Sequence, residues 1–507
     1  MADTKREIER KFEFTTSKAE RRGVPDLTGT AAIAAVADQG TIDLDAVYYD
    51  TPDQRLAADG LTLRRRTGGA DAGWHLKLPV SPGVRDEVTA PLGDTLPRAL
   101  AALVRSRVRD GALEPQVRLL SSRRVTHLLD SEGALLAELS TDAVRAERDE
   151  AAAAWTEVEV ELADGVDPAL LDVVEKRFRK AGLKVSDAPS KLARALAETG
   201  TEPPPRPGPA GAEGTAGALV LSYLREQRDA LVAQDPAVRR NLPDSVHQMR
   251  IACRRTRSAF KTFRKVLDRA VTDPIGEELR WLAAELGLDR DQEVLFDRIQ
   301  AHVSELPRTL VVGPVRGRLR TWNNARRSAT RRRALAALDA KRYAALLDSL
   351  DALLAEPPLL PGAAKPAAQA LPKAVLKDYE RLATRVAGAL DLDPGEGRDL
   401  ALHEARKAAK RARYAAEAAT AELGKAAKQL AKAMKSVQSL LGDHQDSVVA
   451  REALRGLGAQ AAGAGESAFT WGVLYAREEA LAAQGERELP DVWGQASDPA
   501  LRAELGA

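Results

Sequence analysis

"REIERKFEF", residues 6–14, alternates charged and apolar side chains. On a β-strand successive side chains leave opposite faces. Glu7, Glu9, Lys11 and Glu13 then share one face, and Ile8, Phe12 and Phe14 the other, with Arg10 the exception. The apolar face is expected to pack against helices. The charged face must meet solvent or line a hydrated cavity, and that choice decides the fold.

The same arithmetic recurs downstream. In "LTLRRRT" (61–67) Thr62, Arg64 and Arg66 share a face; in "WHLKLP" (74–79) His75 and Lys77 lie opposite Trp74, Leu76 and Leu78. In "VRDEV" (84–88) Arg85 aligns with Glu87, and in "WTEVEVEL" (155–162) Glu157, Glu159 and Glu161 lie opposite Val158, Val160 and Leu162. "AVYYDT" (46–51) and "ALLAELSTD" (134–142) read as further strands, with helical segments near 96–107 and 167–181. One reading is an antiparallel sheet with one wet face. The other is a closed barrel with a polar interior, in which glutamates suit a hard divalent cation and Arg and Lys suit phosphate oxygens. Carboxylates, a metal and cations around one cavity are the components of phosphoryl chemistry.

The chain has 507 residues, of which 44% are apolar, so two or three cores are expected. Its 76 Lys+Arg and 74 Asp+Glu leave a net charge of +2. No global positive field attracts a polyanion, so anion-binding cations must be segregated onto particular faces. Cys253 is the single cysteine, which excludes intramolecular disulfides and a thiolate zinc cluster. "MADTKREIERK" has no apolar core for a signal peptide, and no stretch nears the ~20 apolar residues of a membrane helix. The expectation is a cytoplasmic protein without a membrane partner.

"TEPPPRPGPAGAEGTAG" (201–217) reads as a linker between 1–200 and 218–507. The first region is expected to be α+β. The second is rich in Ala, Leu and Arg and reads as an all-α bundle with helices of about 15 to 25 residues. A Pro-rich break at 356–372 divides it into halves of about 218–355 and 373–490.

The first region resembles the CYTH domain, the triphosphate tunnel metalloenzyme family. The resemblance rests on Glu7-Ile8-Glu9-Arg10-Lys11, "YYDT" (48–51), "LTLRRR" (61–66), "WHLKLP", "RDE" (85–87), "EVEVEL" (157–162) and "SKLARAL" (190–196), over about residues 5–197. It implies an eight-stranded antiparallel tunnel that hydrolyses a triphosphate with Mg2+ or Mn2+. By that resemblance Glu7, Glu9, Glu157 and Glu159, with Asp142, would hold the metal. Lys11, Arg64, Arg66, Lys77, Arg85, one or both of Arg123 and Arg124, and Lys191 would line the phosphate path. Members act on inorganic triphosphate, thiamine triphosphate or ATP. Trp74, Tyr48 and Tyr49 fit a plain core better than a base-binding platform, so adenylate cyclase activity has little support.

The helical region repeats a pattern. "HQMRIACRRTR" (247–257) and "HEARKAAKRAR" (403–413) each start with a histidine followed by cations at the third, seventh and tenth positions, 156 residues apart. "LGLDRD" (286–291) and "LGDHQD" (441–446) keep nearly the same offset, which argues for internal duplication. Spacing of 3, 4, 3, 4 puts His247, Arg250, Arg254, Arg257 and Lys261 on one helical stripe, opposite Met249, Cys253, Phe260 and Phe263. His403, Arg406, Lys410 and Arg413 repeat it. Lys425, Lys428, Lys432 and Lys435 form a third stripe, and Arg316, Arg320, Arg327 and Arg331 approach a fourth. Such stripes are either solvated faces or cations converging on a shared anion. This region resembles the CHAD domain, over about 218–490, which implies binding of long-chain inorganic polyphosphate and an association with polyphosphate granules. Two histidines without clustered carboxylates make a poor metal site; a phosphate contact or a cap-region hydrogen bond suits them better. A binding or sensing role without turnover is the alternative. Nucleic-acid binding is disfavoured by an aromatic content of 4%. The oligomeric state is not read from the sequence.

Overall fold

The structure, a computed structural model, describes residues 3–200 and 212–506, with the side chains of all but 288–290, 327, 328 and 506. The chain divides into two compact units, Met1–Arg206 and Pro207–Ala507. Most of the expected linker, 201–211, lies outside the described residues; Ala216 and Gly217 already belong to a helix.

In the first unit the strands are β1 (Asp3–Phe14), β2 (Ala35–Asp50), β3 (Thr62–Thr67), β4 (Gly73–Ser81), β5 (Val84–Pro91), β6 (Glu114–Leu129), β7 (Leu135–Arg148), β8 (Ala151–Leu162) and the short β9 (Leu183–Val185). Helices α1 (Ser17–Arg22), α2 (Arg55–Ala58), α3 (Arg98–Val108), α4 (Ala169–Ala181) and α5 (Lys191–Glu198) are interspersed. The sheet order is β5-β4-β3-β2-β6-β7-β8-β1, and antiparallel pairing of β1 with β5 closes it into an eight-stranded barrel, with β9 added beside β1. The charged faces therefore turn inward, and the barrel reading holds over the sheet with one wet face.

The apolar alternates pack outward under helices. Phe12, Val158 and Val160 meet Leu171, Val174 and Phe178 of α4. Leu63, Trp74, Leu76 and Val88 meet Leu100 and Val104 of α3. Arg10, out of pattern, reaches Asp172 and Glu175 of α4 at 3.0 and 2.6 Å. At one end the interior is apolar: Leu192, Ala195 and Leu196 of α5 pack on Val117, Leu119, Val144 and Trp155. Burying each of the two leucines contributes about 1.5–3 kcal/mol, enough to hold α5 as a stopper. Ser190 caps α5 by accepting a hydrogen bond from the Ala193 amide at 3.0 Å.

The second unit contains α6 (Ala216–Arg239), α7 (Ser245–Thr262), α8 (Arg269–Glu305), α9 (Val315–Asp339), α10 (Lys341–Ala355), α11 (Ala367–Leu390), α12 (Glu396–Ala418), α13 (Thr420–Gly463), α14 (Phe469–Ala496) and α15 (Ala500–Gly506). Sequence neighbours pack on one another through α6 to α9 and again through α11 to α14, as a duplication requires. One apolar core spans both halves and includes Met249, Cys253, Phe260 and Phe263 of the first and Leu402, Ala409, Leu430 and Met434 of the second. Burial pushes the Cys253 thiol up to about 12. The expected helix lengths were too short for α8 and α13, which run 37 and 44 residues. Pro274 falls in the second turn of α8, and α13 breaks its helical dihedrals only at Gly424 (φ +53°), where a residue without Cβ is favoured.

Candidate active site and anion-binding cluster

The barrel encloses a cavity of about 380 Å³ whose wall is built almost wholly from the inward alternates. Glu7, Glu9 and Lys11 come from β1, Arg64 and Arg66 from β3, His75 and Lys77 from β4, Arg85 and Glu87 from β5, Arg123 from β6, Glu159 and Glu161 from β8, and Lys191 from α5. Asp142 and Glu157, both fully buried, face each other across the β7–β8 ladder beside it.

Carboxylates and cations interlock. Lys77 Nζ donates to Glu7 at 2.6 Å, and Lys11 pairs with Glu9 at 3.0 Å and with Glu159. Arg123 grips Asp142 with two bonds of 2.8 Å and reaches Glu159 at 3.0 Å. Lys191 Nζ sits among Glu159, Asp142 and Glu157 at 2.5, 2.8 and 3.2 Å. Arg85 lies 4.0 Å from Glu9 and donates to the Pro189 carbonyl at 2.5 Å, tying β5 to the α5 approach. Arg124 does not belong to this set. It leaves the opposite face of β6 and pairs with Asp38 at 2.8 Å while 65% exposed, because adjacent residues on a strand cannot both face inward.

The cavity separates the protonation behaviour of its acids. Burial, reinforced by Glu87 and Glu161, pushes Glu7 up to about 7 despite Lys77. Burial also opposes ionisation of Glu9, but Lys11 and Lys77 outweigh it and hold it at about 2. Burial raises Glu157 against the pull of Lys191, which reaches its Oε1, while its Oε2 has no hydrogen-bond partner. Burial with Arg64 and Arg123 nearby lowers Arg66 to about 9. The Nε groups of Arg64 and Arg66 are buried without an acceptor. The free Nε–H donors of Arg64 and Arg66 suit an anion, and the open oxygen of Glu157 suits a hard cation.

Sequence reasoning did not single out as site residues Glu87, Glu161, His75 or Tyr48. Glu87 and Glu161 were visible as alternates of named residues. His75 joins Glu87 at 3.0 Å to the Asp71 carbonyl at 2.8 Å. The Tyr48 phenol accepts from Arg64 at 3.3 Å, while Trp74 and Tyr49 pack together on the outer face, as their core reading expected.

In the helical unit the two repeats meet. Arg250 of α7 lies against Gly287 and pairs with Asp291 at 2.9 Å; Arg406 of α12 lies against Gly442 and approaches Asp446 at 3.6 Å. These are equivalent residues of the duplicated motifs. Arg250, Arg254 and Arg406 are close enough to Lys410 that, after burial, they lower its pKa to about 7 against Asp446. Arg254 abuts Tyr414. The buried Nε groups of Arg250, Arg254 and Arg406, and Nδ1 of His403, have no hydrogen-bond partner.

Other stripe members diverge. Arg257 and Lys261 lie near Glu277 of α8. Arg413 pairs with Glu417 at 2.9 Å, as does Arg255 at 2.8 Å. His247 stands half-buried in the first turn of α7, which starts at Asp244 without a side-chain cap. Lys428, Lys432 and Lys435 are exposed on α13, and 100° per residue puts them on the Asp446 face of that helix. Arg320 is exposed on α9, near Asn323, which bonds Gln292 of α8 at 3.3 Å; the Arg327 side chain lies outside the described residues.

A closed barrel with an ionisable lining, followed by a duplicated helical bundle with converging cations, defines a two-module architecture. The CYTH domain model matches residues 5–196 and the CHAD domain model residues 222–455. The chain is a CYTH–CHAD protein. It belongs to one family with an uncharacterized protein of Mycobacterium tuberculosis, found in strains CDC 1551 and H37Rv, at 39% identity over 513 residues, 95% of this chain and 94% of that one. Similar solved structures include PptA from Streptomyces chartreusis (TM-score 0.47, 22% identity, 55% of this chain and 99% of that one). Another is the CHAD domain of Ricinus communis (0.41, 27%, 59% and 95%). No helix among the described residues is long and apolar enough to cross a membrane.

Proposed function

We propose that the tunnel hydrolyses inorganic triphosphate, or the ends of short polyphosphate, with Mg2+ or Mn2+, and that the helical unit binds long-chain polyphosphate. The observation that carries the first part is the cavity wall. Carboxylates from β1 and β8 line one cavity with cations from β3, β4, β5, β6 and α5, and Lys191 ties that wall to Asp142 and Glu157 beside it. Glu7, Glu9, Glu157 and Glu159 would hold the cation, with Asp142 beside them. A bound cation would supply charge neutralisation at phosphate oxygens and a more acidic water. Lys11, Arg64, Arg66, Lys77, Arg85 and Arg123 would bind and orient the phosphate chain through charge-assisted hydrogen bonds. Lys191 would exchange its carboxylate partners for substrate as the cation enters. Tyr48 and His75 are the aromatic side chains among the described lining residues, and both are engaged with neighbours. That favours an inorganic substrate over one with a base or thiazole to seat.

The second part rests on the unspent Nε donors of Arg250, Arg254 and Arg406 around Lys410. The α13 lysines extend the same face along the helix. Phosphate release from triphosphate, ATP, thiamine triphosphate and long polyphosphate, compared side by side with Mg2+ and Mn2+, tests the enzyme reading. No release from triphosphate with either metal would reduce the tunnel to a binding or sensing device.

A further inference from the structure

The second half of the bundle holds a cluster used by neither the tunnel nor the cation stripes. Asp399 in the first turn of α12, His444 in the middle of α13 and Glu486 of α14 each offer one ligand atom, all within 4.8 Å of one another. His444 is 4% exposed. Its Nε2 lies 3.3 Å from Asp399 Oδ1 and 3.3 Å from Glu486 Oε1.

Hydrogen bonding alone accounts poorly for this arrangement. Nε2 carries one proton at most, so it serves one acceptor well, not two at equal distance. Charge-assisted N–H···O bonds run about 2.7–2.9 Å, shorter than either contact. Around a tetrahedral Zn2+, bonds of about 2.0–2.2 Å to nitrogen and oxygen set neighbouring ligand atoms about 3.3–3.5 Å apart. Both contacts match that edge length.

The outer oxygens are already held. Arg451 donates to Asp399 Oδ2 at 3.0 Å, and Arg398 Nε lies 3.2 Å from Glu486 Oε2. These contacts turn Oδ1 and Oε1 inward, as outer partners orient ligands in metal sites. The two guanidiniums also offset the carboxylate charge, which sets the affinity below that of an unshielded set. Asp399 and Glu486 keep some solvent access, with side chains 21% and 13% exposed, so a water can complete the coordination.

We propose that Asp399, His444 and Glu486 form a site for a divalent transition metal of the Zn2+ type, pinning α12, α13 and α14 together. It differs in chemistry from the tunnel, whose carboxylate set offers oxygen alone. It also does not involve His247 or His403.

The test is a Co2+ titration of the full, chelator-stripped chain in excess Mg2+, read by visible absorption. Tetrahedral Co2+ with a nitrogen ligand gives intense bands; octahedral oxygen sites do not. The expected result is one equivalent of such a species in the wild type and in Glu9→Gln, displaced by Zn2+, and its loss in His444→Gln and Asp399→Asn. If His444→Gln fails to fold, the partly exposed Asp399→Asn decides. Absence of the bands in the wild type, or their survival in Asp399→Asn, would overturn the proposal and leave an ion-pair network.

Discussion

The Lys191 ammonium lies 2.5 Å from the Glu159 carboxylate, at the tip of the helix that stoppers the barrel. Asp142 and Glu157 close round the same ammonium. Removing that charge leaves buried carboxylates under-compensated, a loss that costs about 3–5 kcal/mol when a buried pair is broken. Lys191→Met is expected to lower the urea midpoint of the first unit sharply without metal, and less with Mg2+, which would occupy the same negative environment. Equal losses with and without Mg2+ would separate Lys191 from the cation site.

Glu9 is held ionised by Lys11 and Lys77 far into the acid range. Glu9→Gln keeps its shape and removes the charge. Metal charge stabilisation is worth several kcal/mol, and each 1.4 kcal/mol is tenfold. Triphosphate turnover is expected to fall at least ~100-fold while polyphosphate binding, on the other unit, stays unchanged. Phosphate release and polyphosphate gel shift on one preparation check both halves of that statement.

Arg123 and Arg124 make a paired control. Arg123 is inside, bonded to Asp142 and Glu159; Arg124 is outside, in a solvent-exposed pair with Asp38. Exposed pairs contribute about 0–1 kcal/mol. Arg124→Ala is therefore expected to leave kcat/KM and Tm nearly unchanged, whereas Arg123→Ala impairs both. Comparable kinetic losses in the two variants would contradict an inward Arg123.

Glu7 gives the tunnel a pH dependence with a definite sign. Its folded value of about 7 stands above the ordinary carboxylate value of 4.5, with burial the main cause. Between those limits the folded chain binds more protons than the unfolded one. The metal-free protein is thus most favoured by this group below about 4.5 and loses that contribution as pH rises through about 7. Metal binding needs the ionised carboxylate. Apparent Mg2+ affinity is expected to rise with pH up to about 7 and then level, and Glu7→Gln to flatten that rise. Activity against Mg2+ concentration at several pH values measures it.

Alternation made the inward faces of β1, β3, β4, β5 and β8 legible, because flanking apolar residues mark the outward face even where Arg10, Arg65 and Asp86 interrupt it. It failed for β6. Ser121, Ser122, Arg123 and Arg124 are polar in succession, and register shifts near Gly40 and Leu129 break the period. Hence the pair Arg123 and Arg124 could not be divided until Arg123 was seen opposite Asp142. The helical stripes were legible as faces, but not their convergence. Arg250 meets the Lys410 neighbourhood across 160 residues of chain, and no local spacing encodes that contact. The Asp399, His444 and Glu486 cluster escaped for the same reason: each residue alone is an ordinary polar position on its own helix.

Lys410 carries the last prediction. Burial and the three guanidiniums around it depress its pKa to about 7 from 10.5. Between those values the unfolded chain binds more protons, so the ligand-free helical unit gains stability from this group as pH rises from about 7 to 10.5. A polyanion seated among Arg250, Arg254 and Arg406 would reverse the repulsion and restore the proton. Polyphosphate binding is then expected to take up a proton above pH ~7, and affinity to fall by up to tenfold per pH unit there, since one proton is linked to one binding event. Lys410→Arg keeps its charge throughout this range and is expected to abolish that slope while retaining affinity. Calorimetry in buffers of different ionisation heat measures the proton directly. A proton count near zero at pH 8.5 in the wild type would place Lys410 away from the bound chain.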